Sequence, residues 1–164
     1  MRWVACGYTQ VEGVNYNETY TATSKAIAIR MFLNMIMALG MHGRKFDVPK
    51  AFTKADIDSD IWVLQPEERR LPGLLCKKKD ARGRPYAGKL HKALEGLKQA
   101  GHLFQTLNTE TLVKKLGFRQ MESHPTTFVL HTSDGIVMHE VWVDDFATGY
   151  TTWKALMKFC LLYT

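Results

Sequence analysis

Three β-rich runs follow one another between Thr126 and Gly149, separated only by short polar tips. Residues 126–131 and 136–143 flank Ser133-Asp134-Gly135, and Asp-Gly between β-forming runs is a strong hairpin signal. The second run ends in Trp142-Val143-Asp144-Asp145, and a third, Phe146 to Gly149, follows at once. A second hairpin with two aspartates at its tip is therefore expected. Elsewhere the period changes to that of helices. Ser24 is read as the cap of a helix running to about Leu39, with Ile29, Leu33, Ile36 and Met37 at helical spacing and Gly40 as its stop. Residues 102–116 repeat the pattern and end at Gly117, and a last helix is expected from Thr151 or Thr152. Residues 2–8, Lys45 to Val48 and 61–64 read as strands, and 67–89 as a basic loop. Strands and helices mix without regular βαβ alternation, so the fold class is α+β.

The 164 residues suit one domain, and 46% apolar content supplies a core. Met31, Met35 and Met37 read as core filler. Lys and Arg number 22 against 16 Asp and Glu, a net charge of +6 that favours polyanionic partners. Lys77-Lys78-Lys79 with Arg82 and Arg84 reads as a solvated loop or as a contact to a nucleic-acid backbone. Cys6, Cys76 and Cys160 form no CxxC pair and point to a reducing compartment. The opening MRWVACGYTQ lacks the apolar core of a secretory signal. The most apolar stretch, Ile27 to Met41, falls short of the roughly 20 residues of a membrane span. Secreted and membrane classes are set aside.

The chemistry is carried by aspartates. Asp47 sits on a candidate strand five residues before aromatic Phe52, and Asp144-Asp145 closes another. If the fold unites them, two carboxylates can hold Mg²⁺ together with substrate phosphates. On spacing alone, an Asp pair at a hairpin tip is an ordinary solvated turn. Asp56, Asp58, Asp60 and Glu67 resemble a calcium loop, but Ile61 stands where that loop requires Gly, so a solvated turn is the better account. Gly96 to Gly101 lacks the Lys-Ser/Thr of a phosphate loop. His131 and His139 are expected to pack rather than to bind metal.

Five ordered blocks carry more information than any of these signals. GYTQVEGVNYNETYTATSKAIAIR, FDVPKAF, IWVLQPE, ALEGLKQAG and VWVDD together resemble the reverse transcriptase of copia-type LTR retrotransposons over nearly the whole chain. The resemblance implies a palm-like antiparallel sheet packed on helices, with a fingers part at about 1–40 and 61–92 and a palm at about 41–60 and 93–164. Only 19 residues follow Asp145, so it implies a fragment without a thumb, weak or inactive by itself. It implies RNA-directed DNA polymerisation, transferring a nucleotide from a dNTP to a primer 3′-hydroxyl. The catalytic residues so implied are Asp47, Asp144 and Asp145, with Mg²⁺ (or Mn²⁺) on Asp47, Asp144 and the Val48 carbonyl. Phe52 matches a steric gate against the 2′-hydroxyl, and Arg2, Lys25, Gly96, Lys98 and Gln99 match substrate-binding positions. The implied partners are an RNA template, a DNA primer, a dNTP and the remaining polyprotein segments (integrase, thumb, RNase H), in an intracellular particle or the nucleus. Trp142, Glu95, Gly101, Pro49 and Cys6 depart from the family pattern. Glu95 and Pro49 favour the alternative of a catalytically inactive remnant that binds nucleic acid or serves only as structure.

Overall fold

A computed structural model describes residues 4–64, 82–83 and 87–163. Its elements are α1 (Ala26–Ala38), β1 (His42–Asp47), β2 (Trp62–Leu64), β3 (Ala87–Lys89), α2 (Ala100–Glu110), β4 (Arg119–Gln120), β5 (Thr127–Thr132), β6 (Gly135–Trp142), β7 (Asp145–Tyr150) and α3 (Trp153–Tyr163). The backbone divides into two compact units, Met1–Thr19 with Phe52–Leu103 and Tyr20–Ala51 with Phe104–Thr164. The first holds the β2–β3 ribbon. The second holds a five-stranded antiparallel sheet in the order β1-β7-β6-β5-β4. The α+β class holds, and both hairpins form. Thr132 pairs with Gly135 and Trp142 with Asp145, so the tips are the two-residue loops Ser133-Asp134 and Val143-Asp144.

Alternation along the strands divides the core of the second unit. On one face, Val137, His139 and Val141 of β6 stand opposite Tyr150, Thr148 and Phe146 of β7. All six are buried. Phe159 of α3 closes this side, its ring 5.3 Å from His139, 5.6 Å from Phe118 and 6.0 Å from Phe46. On the other face, Met138, Val129, Ile136 and Ala147 pack with Phe32, Ile36 and Met41. Burying a side chain such as Phe128 or Phe146 contributes about 1.5–3 kcal/mol.

The helices start and stop near the expected places, for partly different reasons. The cap of α1 is Lys25, with no side-chain cap bond. Ser24 instead donates its hydroxyl to Glu140 of β6, a buried acceptor that outcompetes the helix end. Gly40 follows α1 at φ 60°, the left-handed conformation that ends helices. The buried stripe of α1 is Ala28 and Phe32 with half-buried Ile29 and Ile36. Met31, Met35 and Met37 are exposed, contrary to their reading as core filler, because they lie off that stripe. α2 runs into a π-helical turn at Thr111–Lys115 and ends before Gly117 at φ 75°. Phe104, Asn108, Leu112 and Leu116 form its buried stripe. α3 is capped as expected: Thr152 accepts the Ala155 N–H (3.2 Å) and donates to the Asp134 carbonyl (2.6 Å). Lys158 pairs with Asp134 and holds its carboxyl below the usual carboxylate range.

Two readings are corrected. Residues 4–6 are irregular and Gly7–Thr9 is a 3-10 turn, not a strand, closed by the Thr9 N–H and hydroxyl on the Cys6 carbonyl (3.0 and 2.8 Å). Ala87–Lys89, read as loop, is strand β3. Its Ala-Gly-Lys composition carries no strand signal, and pairing with Trp62–Leu64 supplies the order. Among the described residues no helix is long and apolar enough to cross a membrane.

His139 gives the sheet a pH dependence. It packs within 4.9 Å of Phe146 and 6.1 Å of Phe118, bonds Thr148 through Nδ1 (2.7 Å), and leaves Nε2 without a partner. Burial pushes its pKa from 6.5 down to about 3. The unfolded chain takes up this proton near its ordinary value and the folded chain does not. Stability is therefore full above the unfolded value and falls with pH towards the folded one, by about 1.4 kcal/mol per pH unit. Urea midpoints should drop accordingly from neutral pH to pH 5, a loss of about 2 kcal/mol that His139→Leu removes.

Candidate active site

β1 ends at Asp47, paired directly across from Asp145, the first residue of β7. The next residue, Val48, donates its N–H to the Asp144 carbonyl (3.2 Å). The end of an edge strand and the tip of the second hairpin are thereby fastened by backbone bonds. Positions 97 residues apart, Asp47 and Asp144, are brought to one end of one sheet. Both side chains are exposed. Directly opposed residues share a face, so Asp47 and Asp145 point to the same side, as does Lys45 two residues before Asp47. Lys45 Nζ reaches Asp145 Oδ1 diagonally at 2.9 Å.

Backbone shape at the tip is unusual. Val143 holds φ 56°, a costly conformation for a β-branched residue in a two-residue turn. The flanking ladder Trp142↔Asp145 and Val141↔Phe146 enforces it. On the face shared by Asp145, a cavity of about 490 Å³ opens between α1 and the sheet, lined by residues including Phe32, Leu33, Lys45, Trp142 and Ala147. Its wall includes Glu140, whose carboxyl oxygens accept from Ser24, from Thr126 (2.9 Å) and from Thr127 (2.5 Å). This cluster ties the entry of α1 to the strand that leads into the aspartate tip. Sequence pattern alone does not single out Glu140 as a site residue. Its signal was a charge at the alternating position between Met138 and Trp142.

The remaining implied residues lie elsewhere. Lys25 is the exposed cap residue of α1. Phe52 stands half-buried in the 3-10 turn Ala51–Lys54. In the same unit as Phe52, Gly96 and Lys98 are exposed, whereas Gln99 is wholly buried and its carboxamide fully bonded. Arg2, Lys77, Lys78, Lys79, Arg84 and Glu67 lie outside the described residues. Asp56 and Asp60 are neutralised by Lys92 (2.7 Å) and Lys89 (2.5 Å), which weakens any calcium reading. Among the described residues no three His, Cys, Asp or Glu side chains form a ready metal cluster. Asp47, Asp144 and the Val48 carbonyl are nevertheless hard oxygen donors at one strand end, and Mg²⁺ takes only one or two protein carboxylates. The donor set fits that ion.

The family model described as reverse transcriptase (RNA-dependent DNA polymerase) matches residues 1–160. The chain is 34% identical over 145 residues to the retrovirus-related Pol polyprotein from transposon RE1 of Arabidopsis thaliana, covering 88% of this chain and 9% of that protein. It is 32% identical over 145 residues to that from transposon RE2 of the same plant, with the same coverage. It is 26% identical over 148 residues to that from transposon TNT 1-94 of Nicotiana tabacum, covering 88% of this chain and 10% of that protein. The chain thus spans about a tenth of the length of these relatives. No solved structure matches. With the family model spanning almost every residue, the chain belongs to the reverse transcriptase family, in the company of retrotransposon Pol polyproteins.

Proposed function

We propose that the chain carries the nucleotidyl-transfer centre of an RNA-directed DNA polymerase, with the sheet-bearing unit as its palm. The observation that supports this reading best is the fastening of Asp47 and Val48 to Asp145 and Asp144 at one end of the sheet. In this reading Asp47, Asp144 and the Val48 carbonyl hold Mg²⁺ (or Mn²⁺), and Asp145 keeps Lys45 beside them. When bound, the ions neutralise triphosphate charge and acidify the primer 3′-hydroxyl. The chain's own side chains position the substrates. Lys98 offers a cation to the phosphates, with Arg2 and Lys25 as further basic candidates. Gly96, whose open side is filled by the Ala5 carbonyl, would border the nucleotide by shaping the turn that leads to Lys98. Phe52 presents an aromatic ring against a 2′-hydroxyl. The net charge of +6 supports grip on an RNA template and a DNA primer, a grip that weakens with salt. Thumb, RNase H and integrase segments of a longer polyprotein are the proposed neighbours.

Primer extension on an RNA template with dNTPs and Mg²⁺ tests the reading. The expected product is extended primer, short in the absence of further polyprotein segments. A folded chain that binds the hybrid but adds no nucleotide would favour the second reading, a nucleic-acid-binding remnant. The observation on that side is that Asp145 is already paired with Lys45 and that no three-carboxylate cluster forms among the described residues.

A further inference from the structure

We propose that Gln99, wholly buried, is a positioning residue that fixes where Lys98 presents its ammonium to an anionic ligand. The proposal rests on the reading above that Lys98 faces the nucleotide phosphates. The side chain of Gln99 has no solvent exposure and every polar atom is engaged. Its Oε1 accepts from Gln10 Nε2 (3.0 Å), and its Nε2 donates to the Asn15 carbonyl (2.9 Å) and to Ser59 Oγ (3.3 Å). Ser59 donates in turn to the same Asn15 carbonyl (2.8 Å). Gln10, held in this way, receives Lys98 twice. Its Oε1 accepts the Lys98 backbone N–H (2.8 Å), and its main-chain carbonyl accepts from Lys98 Nζ (3.3 Å). Tyr16, next to Asn15, completes the seat, with its hydroxyl 3.2 Å and its ring centroid 4.9 Å from Lys98 Nζ.

The seat has two consequences. Among the described residues every group holding the ammonium is neutral, so there Lys98 is fixed in place without an ion pair. A free lysine gives up rotamer entropy on binding, and a seated one has already lost part of it. The supporting backbone is also rigid. Ala5 donates to the Glu95 carbonyl (2.6 Å), and a Cβ on Gly7 would run into the Gly96 carbonyl. Gly96 itself holds φ +89° with no room for a Cβ beside the Ala5 carbonyl. The segments 5–16 and 95–99 thus behave as one piece, and Gln99 is its internal bolt.

The test uses the whole 164-residue chain and reads the Lys98 Cε-methylene protons by NMR, assigned by their loss in Lys98→Arg. In the native chain the Tyr16 ring shifts them upfield. Gln99→Met is expected to return them towards the free-lysine value, while the methyl signals of Ala55 and Ile61, buried in the same unit, keep their dispersion. Gln10→Ala, which leaves the buried position intact, should do the same. Inorganic tripolyphosphate, titrated at the Lys98 signal, should bind about fivefold more weakly to both variants, the worth of roughly one hydrogen bond. An unmoved Lys98 signal in both variants overturns the proposal. A moved signal with unchanged tripolyphosphate affinity overturns it too, since the seat would then serve no ligand. If the native chain itself binds no tripolyphosphate, the nucleotide reading of Lys98 is what fails. That result is distinguishable because the signal still responds to Gln99→Met.

Discussion

Replacing Asp47 or Asp144 by Asn lowers nucleotide incorporation by about a thousandfold or more, and leaves the melting curve nearly unchanged. Metal-held charge stabilisation is worth several kcal/mol, and about 4 kcal/mol corresponds to a thousandfold in rate. Both side chains are exposed, and surface substitutions away from packing features usually stay within about 0.5 kcal/mol. The pair of outcomes separates chemistry from folding. A loss of activity accompanied by unfolding would mean that the aspartates shape the tip. Binding to an RNA–DNA hybrid should survive both substitutions, because all 22 Lys and Arg are kept.

Glu140→Ala acts on stability instead, destabilising the sheet-bearing unit by about 2–4 kcal/mol. Three hydroxyls, from Ser24, Thr126 and Thr127, converge on the carboxyl, and all four residues are buried. Removing the acceptor leaves those donors without their partner and opens space under α1. Glu140→Gln keeps the shape and part of the acceptor set, so about 1 kcal/mol is expected. Chemical denaturation followed by the fluorescence of Trp142 and Trp153 measures both. Equal loss from Gln and Ala would show that the carboxyl itself, not its size, holds the cluster. No loss from Ala would refute the assigned role.

Much of the sheet was legible because its signals are local. A two-residue tip between β-forming runs places β5, β6 and β7 without reference to the rest of the chain. Gly40, Gly117 and Thr152 mark helix ends through backbone conformation or capping, which are also local. What failed was what tertiary partners decide. Ser24 looks like a helix cap until Glu140 claims its hydroxyl. In α1 almost every residue is apolar, so periodicity could not say which stripe faces the sheet, and Met31 and Met37 went to solvent. Residues 4–9 have strand composition but are bent by their bonds to Cys6 and Glu95. For the site, the family blocks pointed to the aspartates, and the β1–β7 register supplies a physical reason for Asp47 to lie near Asp144. The inward turn of Gln99 was not legible, because its partners are 40 to 89 residues away.

The measurement closest to the central claim is paramagnetic broadening of backbone amide signals by Mn²⁺ in the whole chain. It reports where a divalent ion sits whether or not the chain polymerises. The account predicts broadening centred on Asp47, Val48 and Val143 to Asp145, and its loss in Asp144→Asn. Broadening centred on Asp56 to Asp60, or an unchanged pattern in Asp144→Asn, would contradict it.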